Sequence, residues 1–126
     1  MMTDWQEYNG GEFLERRVRP RVTLNIDGGI YFGTAAYEAL GRPEAVKLYF
    51  DVSGSRIGVK PVPQGEKTFK IVHPNGSTCT YGHARAATFC KYYGIKPEAR
   101  IEFLDVHIDA DGIMVLDLKT ARRVRR

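Results

Sequence analysis

Leu40-Gly41-Arg42-Pro43-Glu44-Ala45-Val46-Lys47-Leu48-Tyr49-Phe50 is echoed later in the chain by Tyr93-Gly94-Ile95-Lys96-Pro97-Glu98-Ala99-Arg100-Ile101-Glu102-Phe103. Each stretch leaves a helical run at a Gly, turns through Pro-Glu-Ala, and enters an apolar strand that closes on Phe. The context repeats as well, since Phe32-Gly33 stands before the first helical run and Tyr81-Gly82 before the second. A repeat at this spacing sets the architecture before any single residue does. It predicts two copies of one small unit folded from a single chain as a pseudo-dimer.

Working outward, the first unit spans 22–62. Val22-Thr23-Leu24-Asn25-Ile26 alternates apolar and polar residues like a half-buried strand. Asp27-Gly28-Gly29 signals a hairpin turn, because Gly accepts positive φ without a Cβ clash. Ile30-Tyr31-Phe32 returns as a strand. Thr34 starts a helix over 35–40 that Gly41 ends. Strands follow over 45–50 and 56–60, the last stopped by Pro61 and Pro63, and residues 63–66 form a linker. The second unit spans 67–119. It reads as strands over 69–72 and 78–81, a turn at Pro74-Asn75-Gly76-Ser77, a helix over 83–93, and strands over 100–107 and 113–118. That helix is about one turn longer than the first. Both units are therefore ββαββ, and the expected fold class is α+β and β-rich.

This pattern of strand, glycine turn, strand, short helix ending in Leu-Gly, Pro-acid turn and two further strands resembles the AbrB-type swapped-hairpin domain. That family includes MazE-like antitoxins and transition-state regulators. The resemblance covers 22–62 well and 67–119 less tightly, and it implies two fused repeats forming a pseudo-dimeric AbrB-like barrel that binds duplex DNA. In the family, basic residues around the first strands contact the DNA. The matching positions here are Arg19 and Arg21 in the first copy, and Lys67 and Lys70 in the second.

Charge divides by region. The net charge is +4, yet residues 22–118 carry ten basic against eleven acidic side chains. The excess lies in two flanks: Arg16, Arg17, Arg19 and Arg21 before the body, and Lys119, Arg122, Arg123, Arg125 and Arg126 after it. Blocks of like charge at chain ends serve as solvated tails or as nucleic-acid arms. The arginine bias favours phosphate, because a planar guanidinium bonds two oxygens at once. Arg56, Lys70 and Arg85 add cations on or beside expected strand edges and helix starts. The expected partner is nucleic acid, double-stranded DNA first, bound by a small regulator or DNA-coating protein of bacterial or phage type. Residues 120–126 are then a basic tail, and deleting Arg122 to Arg126 is expected to weaken binding without unfolding the domain.

Two other readings use different residues. Tyr31, Phe32, Tyr49, Phe50, Tyr81, Tyr92 and Tyr93 include neighbouring pairs, which put one ring on each face of a strand. Exposed rings beside cations make stacking platforms for single strands, whereas packed rings are ordinary core. Residues 1–21 form an arm, acidic and aromatic (Asp4, Trp5, Glu7, Tyr8, Glu12, Phe13, Glu15) before it turns Arg-rich. Such an arm suits a protein partner, as in an antitoxin or host-inhibitor module.

His73, Cys79, His83 and Cys90 are zinc-type ligands without CxxC or HxxxH spacing. Asp109-Ala110-Asp111-Gly112 reads as a turn, and no later Glu completes a calcium loop. No P-loop, nucleophile elbow or Cys-His signature occurs. The expectation is a non-enzymatic protein without metal or cofactor. No apolar run approaches the ~18 residues of a membrane span. With no secretory pattern at the N-terminus and no disulfide framework, a cytoplasmic location is expected. An exposed strand edge leaves room for a homodimer.

Overall fold

In the computed structural model, residues 20–73 and 82–124 are described. The aromatic arm, Arg16, Arg17, Arg19, the turn and strand expected over 74–81, Cys79, Arg125 and Arg126 lie outside the described residues. Strand β1 (Val22–Leu24) and β2 (Gly29–Phe32) form the first hairpin. Its turn is set by Asp27, whose Oδ1 accepts the Gly29 N–H at 2.9 Å. Gly28 has φ +89°, and a Cβ there would come within 2.6 Å of Ala87 Cα. Only glycine meets both demands.

Helix α1 (Thr34–Ala39) follows, then β3 (Ala45–Asp51) and β4 (Arg56–Val62), which pair over seven residues. Pro61 stands inside β4 opposite Val46 instead of stopping it. The partner on the other side of β4 has ended at the Val59 pair, so Pro61 lies on a free edge, where a missing N–H is tolerated. Strands β5 (Phe69–Val72) and β6 (Gly82–Arg85), helix α2 (Ala87–Tyr93), β7 (Ile101–Glu102), β8 (Val106–Ile108), β9 (Met114–Asp117) and β10 (Arg122–Arg123) complete the elements of the described residues.

Three further elements differ from expectation. His83, Ala84 and Arg85 belong to a strand, not to the helix, because Ala84 pairs with Ile71 and Ile30 and alternates in burial with its neighbours. The two helices are accordingly close in length, and Gly82 is a strand residue opposite Phe32, whereas Gly33 caps α1. The strand expected over 100–107 is broken at 103–105. There Phe103 turns into the core, 2% exposed, and its N–H donates to Val22 O at 3.0 Å. Finally, Arg122–Arg123 is a strand paired with β7, where a solvated tail was expected.

The strand order is β10-β7-β1-β2-β6-β5-β3-β4-β9-β8, with every described pairing antiparallel. β7 and β8 lie near opposite ends of that order, yet only residues 103–105 join them. Four Cα steps reach at most about 14 Å, so the sheet curls to bring its ends together. Among the described residues the fold is a curled antiparallel half-barrel with two short helices, α+β and β-rich.

Val22, Leu24, Ile30, Phe32, Val46, Ile57, Val59, Ala84, Met114 and Leu116 fill one continuous core. Ala36, Tyr37 and Leu40 from around α1, and Phe89 and Cys90 from α2, pack into the same cluster. Burial pushes the Cys90 thiol pKa up, which suits a small apolar core residue. Among the described residues, no helix is long and apolar enough to cross a membrane.

Candidate nucleic-acid interface

Side chains alternate across a strand, so the buried set fixes what faces out. Ile30, Phe32 and Ala84 point into the core, which sends Tyr31, His83 and Arg85 to the outer surface. The register then lays out one transverse row: Arg122 on β10, Glu102 on β7, Thr23 on β1, Tyr31 on β2, His83 on β6 and Val72 on β5. One ladder step away runs a second row. Val124 donates its N–H to Arg100 O at 2.8 Å, Asn25 donates to Gly29 O at 2.9 Å, and Gly29 pairs with Arg85. Continuing the β5–β6 ladder sets Lys70 beside Arg85.

Five cations, Arg21, Lys70, Arg85, Arg100 and Arg122, thus share the outward face of β5-β6-β2-β1-β7-β10. At about 4.8 Å per strand, Lys70 and Arg122 stand about 24 Å apart along the curved surface. Glu102 is the acidic side chain in the first row, and it is pinched between Arg21 (3.5 Å) and Arg122 (3.8 Å). Two arginines around one carboxylate leave a positive surplus. Arg123, one residue on, is exposed at the same sheet edge.

At the centre, Tyr31 and His83 stack, and the Arg100 Cζ lies 6.0 Å from the Tyr31 ring centroid, at the limit of a cation–π contact. Burial, then the Arg85 charge, hold the His83 pKa below its ordinary value against a smaller opposing pull from Asp27. Four buried polar atoms have no hydrogen-bond partner among the described residues: Thr23 Oγ1, Asn25 Oδ1, His83 Nδ1 and Arg100 Nε. Such atoms are rare in folded proteins. All four belong to the two rows.

Other candidates fall elsewhere. Arg56 is engaged by Asp51 at the end of the β3–β4 hairpin, Nη2 to Oδ2 at 2.6 Å. The Arg56 guanidinium, with the Gly54 N–H and Ser53 hydroxyl, lowers the Asp51 carboxyl pKa to about 2. Lys67 stands in the β4–β5 loop and Lys119 in the turn after β9. Both are exposed and neither lies in a sheet row. His83 and Cys90 do not meet as zinc-type ligands, because His83 faces outward from β6 and Cys90 lies in the core. His73 Nε2 meets the Tyr37 hydroxyl at 3.2 Å, and no cluster of three metal-type ligands occurs among the described residues.

Sequence reasoning passed over Arg100 and Thr23. A signal was present for the first: after Pro-Glu-Ala the first copy continues with Val46, the second with Arg100. Thr23 gave none, since a Thr in a strand is unremarkable. The chain matches no protein-family model, no curated protein and no solved structure.

Proposed function

We propose that this chain is a non-enzymatic, cytoplasmic nucleic-acid-binding protein that holds double-stranded DNA on the outward face of β5-β6-β2-β1-β7-β10. The observation that carries the reading is the gathering of Arg21, Lys70, Arg85, Arg100 and Arg122 on one face. Duplex DNA carries a charge about every 1.7 Å of axis, and neutralising its phosphates releases counterions. Arg16, Arg17 and Arg19 precede Arg21 in sequence and extend the same charge.

The reading includes an origin by duplication of an AbrB-like swapped hairpin. Its support is the pairing pattern. β1 pairs with β2 as β5 pairs with β6, and β2 and β6 pair with each other. β3 crosses to β5 as β7 crosses to β1. β3 pairs with β4 as β8 pairs with β9, and β4 and β9 pair with each other. Each pairing of the first unit has a counterpart in the second, and each unit's third strand adds to the other unit's first.

Fluorescence anisotropy with labelled duplex and single-stranded oligonucleotides, across a salt series, tests the reading. Five phosphate contacts give a log–log salt slope near about −4.5 on duplex DNA. Arg21→Gln, Arg85→Gln and Arg122→Gln should each reduce it by about 1. Duplex binding that is absent, or unchanged in all three variants, would exclude this face.

Tyr31 favours a second reading. An aromatic ring standing outward among cations is the arrangement that stacks single-stranded bases. Tighter binding to single strands than to duplex, lost in Tyr31→Ala, would select it.

A further inference from the structure

Of the five cations on the outward face, Lys70 and Arg85 are exposed and form no ion pair among the described residues. Arg21 and Arg122 share the carboxylate of Glu102 through long contacts of 3.5 and 3.8 Å. The face thus carries more positive charge than its own carboxylates neutralise. An aromatic pair, Tyr31 and His83, stands in its middle. The sequence before β1 is the complement in both respects. Residues 1–15 hold four acids (Asp4, Glu7, Glu12, Glu15), three large rings (Trp5, Tyr8, Phe13) and no basic side chain. The chain also enters the fold on this face. Arg21 O accepts the Gly33 N–H at 2.8 Å, while the Arg21 side chain meets Glu102.

Length allows the two to meet. Lys70 lies three strands over and about four residues along from Arg21, a distance of about 20 Å. The chain from Glu15 to Arg21 spans up to about 20 Å, and that from Glu12 up to about 30 Å. We infer that residues 1–15 dock across the outward face of β5-β6-β2-β1-β7-β10, their carboxylates on its cations and their rings toward the Tyr31–His83 pair. Tethering makes the contact intramolecular, at an effective concentration on the order of millimolar, so several weak charge pairs suffice to hold it. Salt screens such pairs, with a Debye length of about 3 Å at 1 M, which makes the contact releasable. Docking needs only the face itself. Its consequence rests on the nucleic-acid reading: the arm occupies the surface that duplex DNA needs, so the chain inhibits its own binding. An arm docked about nine-tenths of the time weakens apparent duplex affinity about tenfold.

Trp5 is the chain's single tryptophan, so its emission reads docking in the intact protein. The variant that tests it neutralises the arm in the full chain: Asp4→Asn/Glu7→Gln/Glu12→Gln/Glu15→Gln. At low salt Trp5 should emit at a shorter wavelength in wild type than in this variant, and the two spectra should converge at about 1 M salt. In ¹⁵N NMR the two chains should differ at the Tyr31, His83 and Arg85 amides and agree at Gly54 in the β3–β4 turn. Identical emission at low salt, or amide differences that spare β2 and β6, would overturn the docking. Differences confined to residues before β1 would mean that the acids serve Arg16, Arg17 and Arg19 instead. In the anisotropy assay the variant should bind duplex about tenfold more tightly than wild type. A control that removes as much negative charge from exposed positions elsewhere, Glu44→Gln/Glu66→Gln/Asp105→Asn/Asp111→Asn, should gain less, and an equal gain would overturn the self-inhibition. Docking signals in a chain that binds no oligonucleotide would uphold the docked arm while removing the nucleic-acid reading.

Discussion

Tyr31 and His83 stack across the junction of β2 and β6, their ring centroids 4.5 Å apart and their planes 14° from parallel. The two residues are directly opposed in the antiparallel register. Their strands come from the two halves of the chain, so the stack joins those halves on the surface where the cations gather. Aromatic cross-strand pairs are among the more stabilising sheet contacts. Here the contact also half-buries an imidazole beside Arg85.

That burial makes stability depend on pH. Burial and the Arg85 charge depress the folded-state pKa of His83, while Asp27 pulls the other way more weakly. A depressed pKa means that the unfolded chain binds the proton more readily. The His83 contribution is therefore present above the ordinary value of 6.5 and fades as pH falls through the lower folded value. The urea midpoint should drop between pH 7.5 and pH 5. His83→Phe, which keeps a ring in the stack, should flatten that drop; an equally steep fall in the variant would contradict the assignment.

Arg56 should behave differently from the face arginines. Its side chain is spent on Asp51, whose carboxyl it helps hold at about 2 against an ordinary 3.8. In an NMR titration the Asp51 carboxyl should lose its proton near pH 2, and Arg56→Gln should return the midpoint toward the ordinary range. The same variant should change the DNA salt slope less than Arg85→Gln does. A loss as large as that of Arg85→Gln would place Arg56 in the interface after all.

Two glycines with nearly the same backbone angle should differ on substitution. Gly28 (φ +89°) and Gly41 (φ +84°) both sit in the left-handed region, but nothing lies within 4 Å of a Cβ built on Gly41. Gly41→Ala should cost about 1–2 kcal/mol, the strain of that conformation alone. Gly28→Ala adds a collision with the Ala87 backbone at 2.6 Å and should cost clearly more by urea denaturation. Equal costs would mean that the β1–β2 turn does not pack against the start of α2 as described.

The glycine turn of the β1–β2 hairpin, the Pro-Glu-Ala turns and the aspartate turn at 109–112 were legible because local chemistry decides them, whereas the half-buried alternation expected over 22–26 was not met: Thr23 is buried and Ile26, beyond the end of β1, is exposed. The register that gathers Arg21, Arg85 and Arg122 was not legible, since it depends on which distant strands meet. Gly82-His83-Ala84-Arg85 shows the limit well. Ala84 and Ala86 are good helix formers, and the run leads straight into a helix. Only the pairing with Ile71 and Ile30 makes it a strand, and that places Arg85 and His83 outward together. The break at Phe103 has the same origin: a buried ring outweighs the continuity of a short strand. Arg122–Arg123 looked like free charge because a two-residue strand has no periodicity to read.

That last strand supplies a sharp test. β10 covers the edge of β7 through the Arg122–Glu102 and Arg123–Ile101 pairs, and Val124 gives its N–H to Arg100. Removing 122–126 therefore strips backbone bonds that contribute about 0.5–1.5 kcal/mol each and loosens the segment that holds Arg100. The truncated chain should lose about 1–3 kcal/mol of stability by urea denaturation and bind DNA more weakly. Arg122→Gln/Arg123→Gln in the full chain keeps the strand and gives up only the long 3.8 Å Arg122–Glu102 ion pair, whose carboxylate keeps Arg21 as a second partner; a pair this loose on an exposed arginine contributes about 0–1 kcal/mol. It should unfold near the wild-type midpoint while its salt slope falls by about 1–2. If the truncated chain were as stable as the intact one, these residues would be a free basic tail, and their cations would act without the geometry that the sheet gives them.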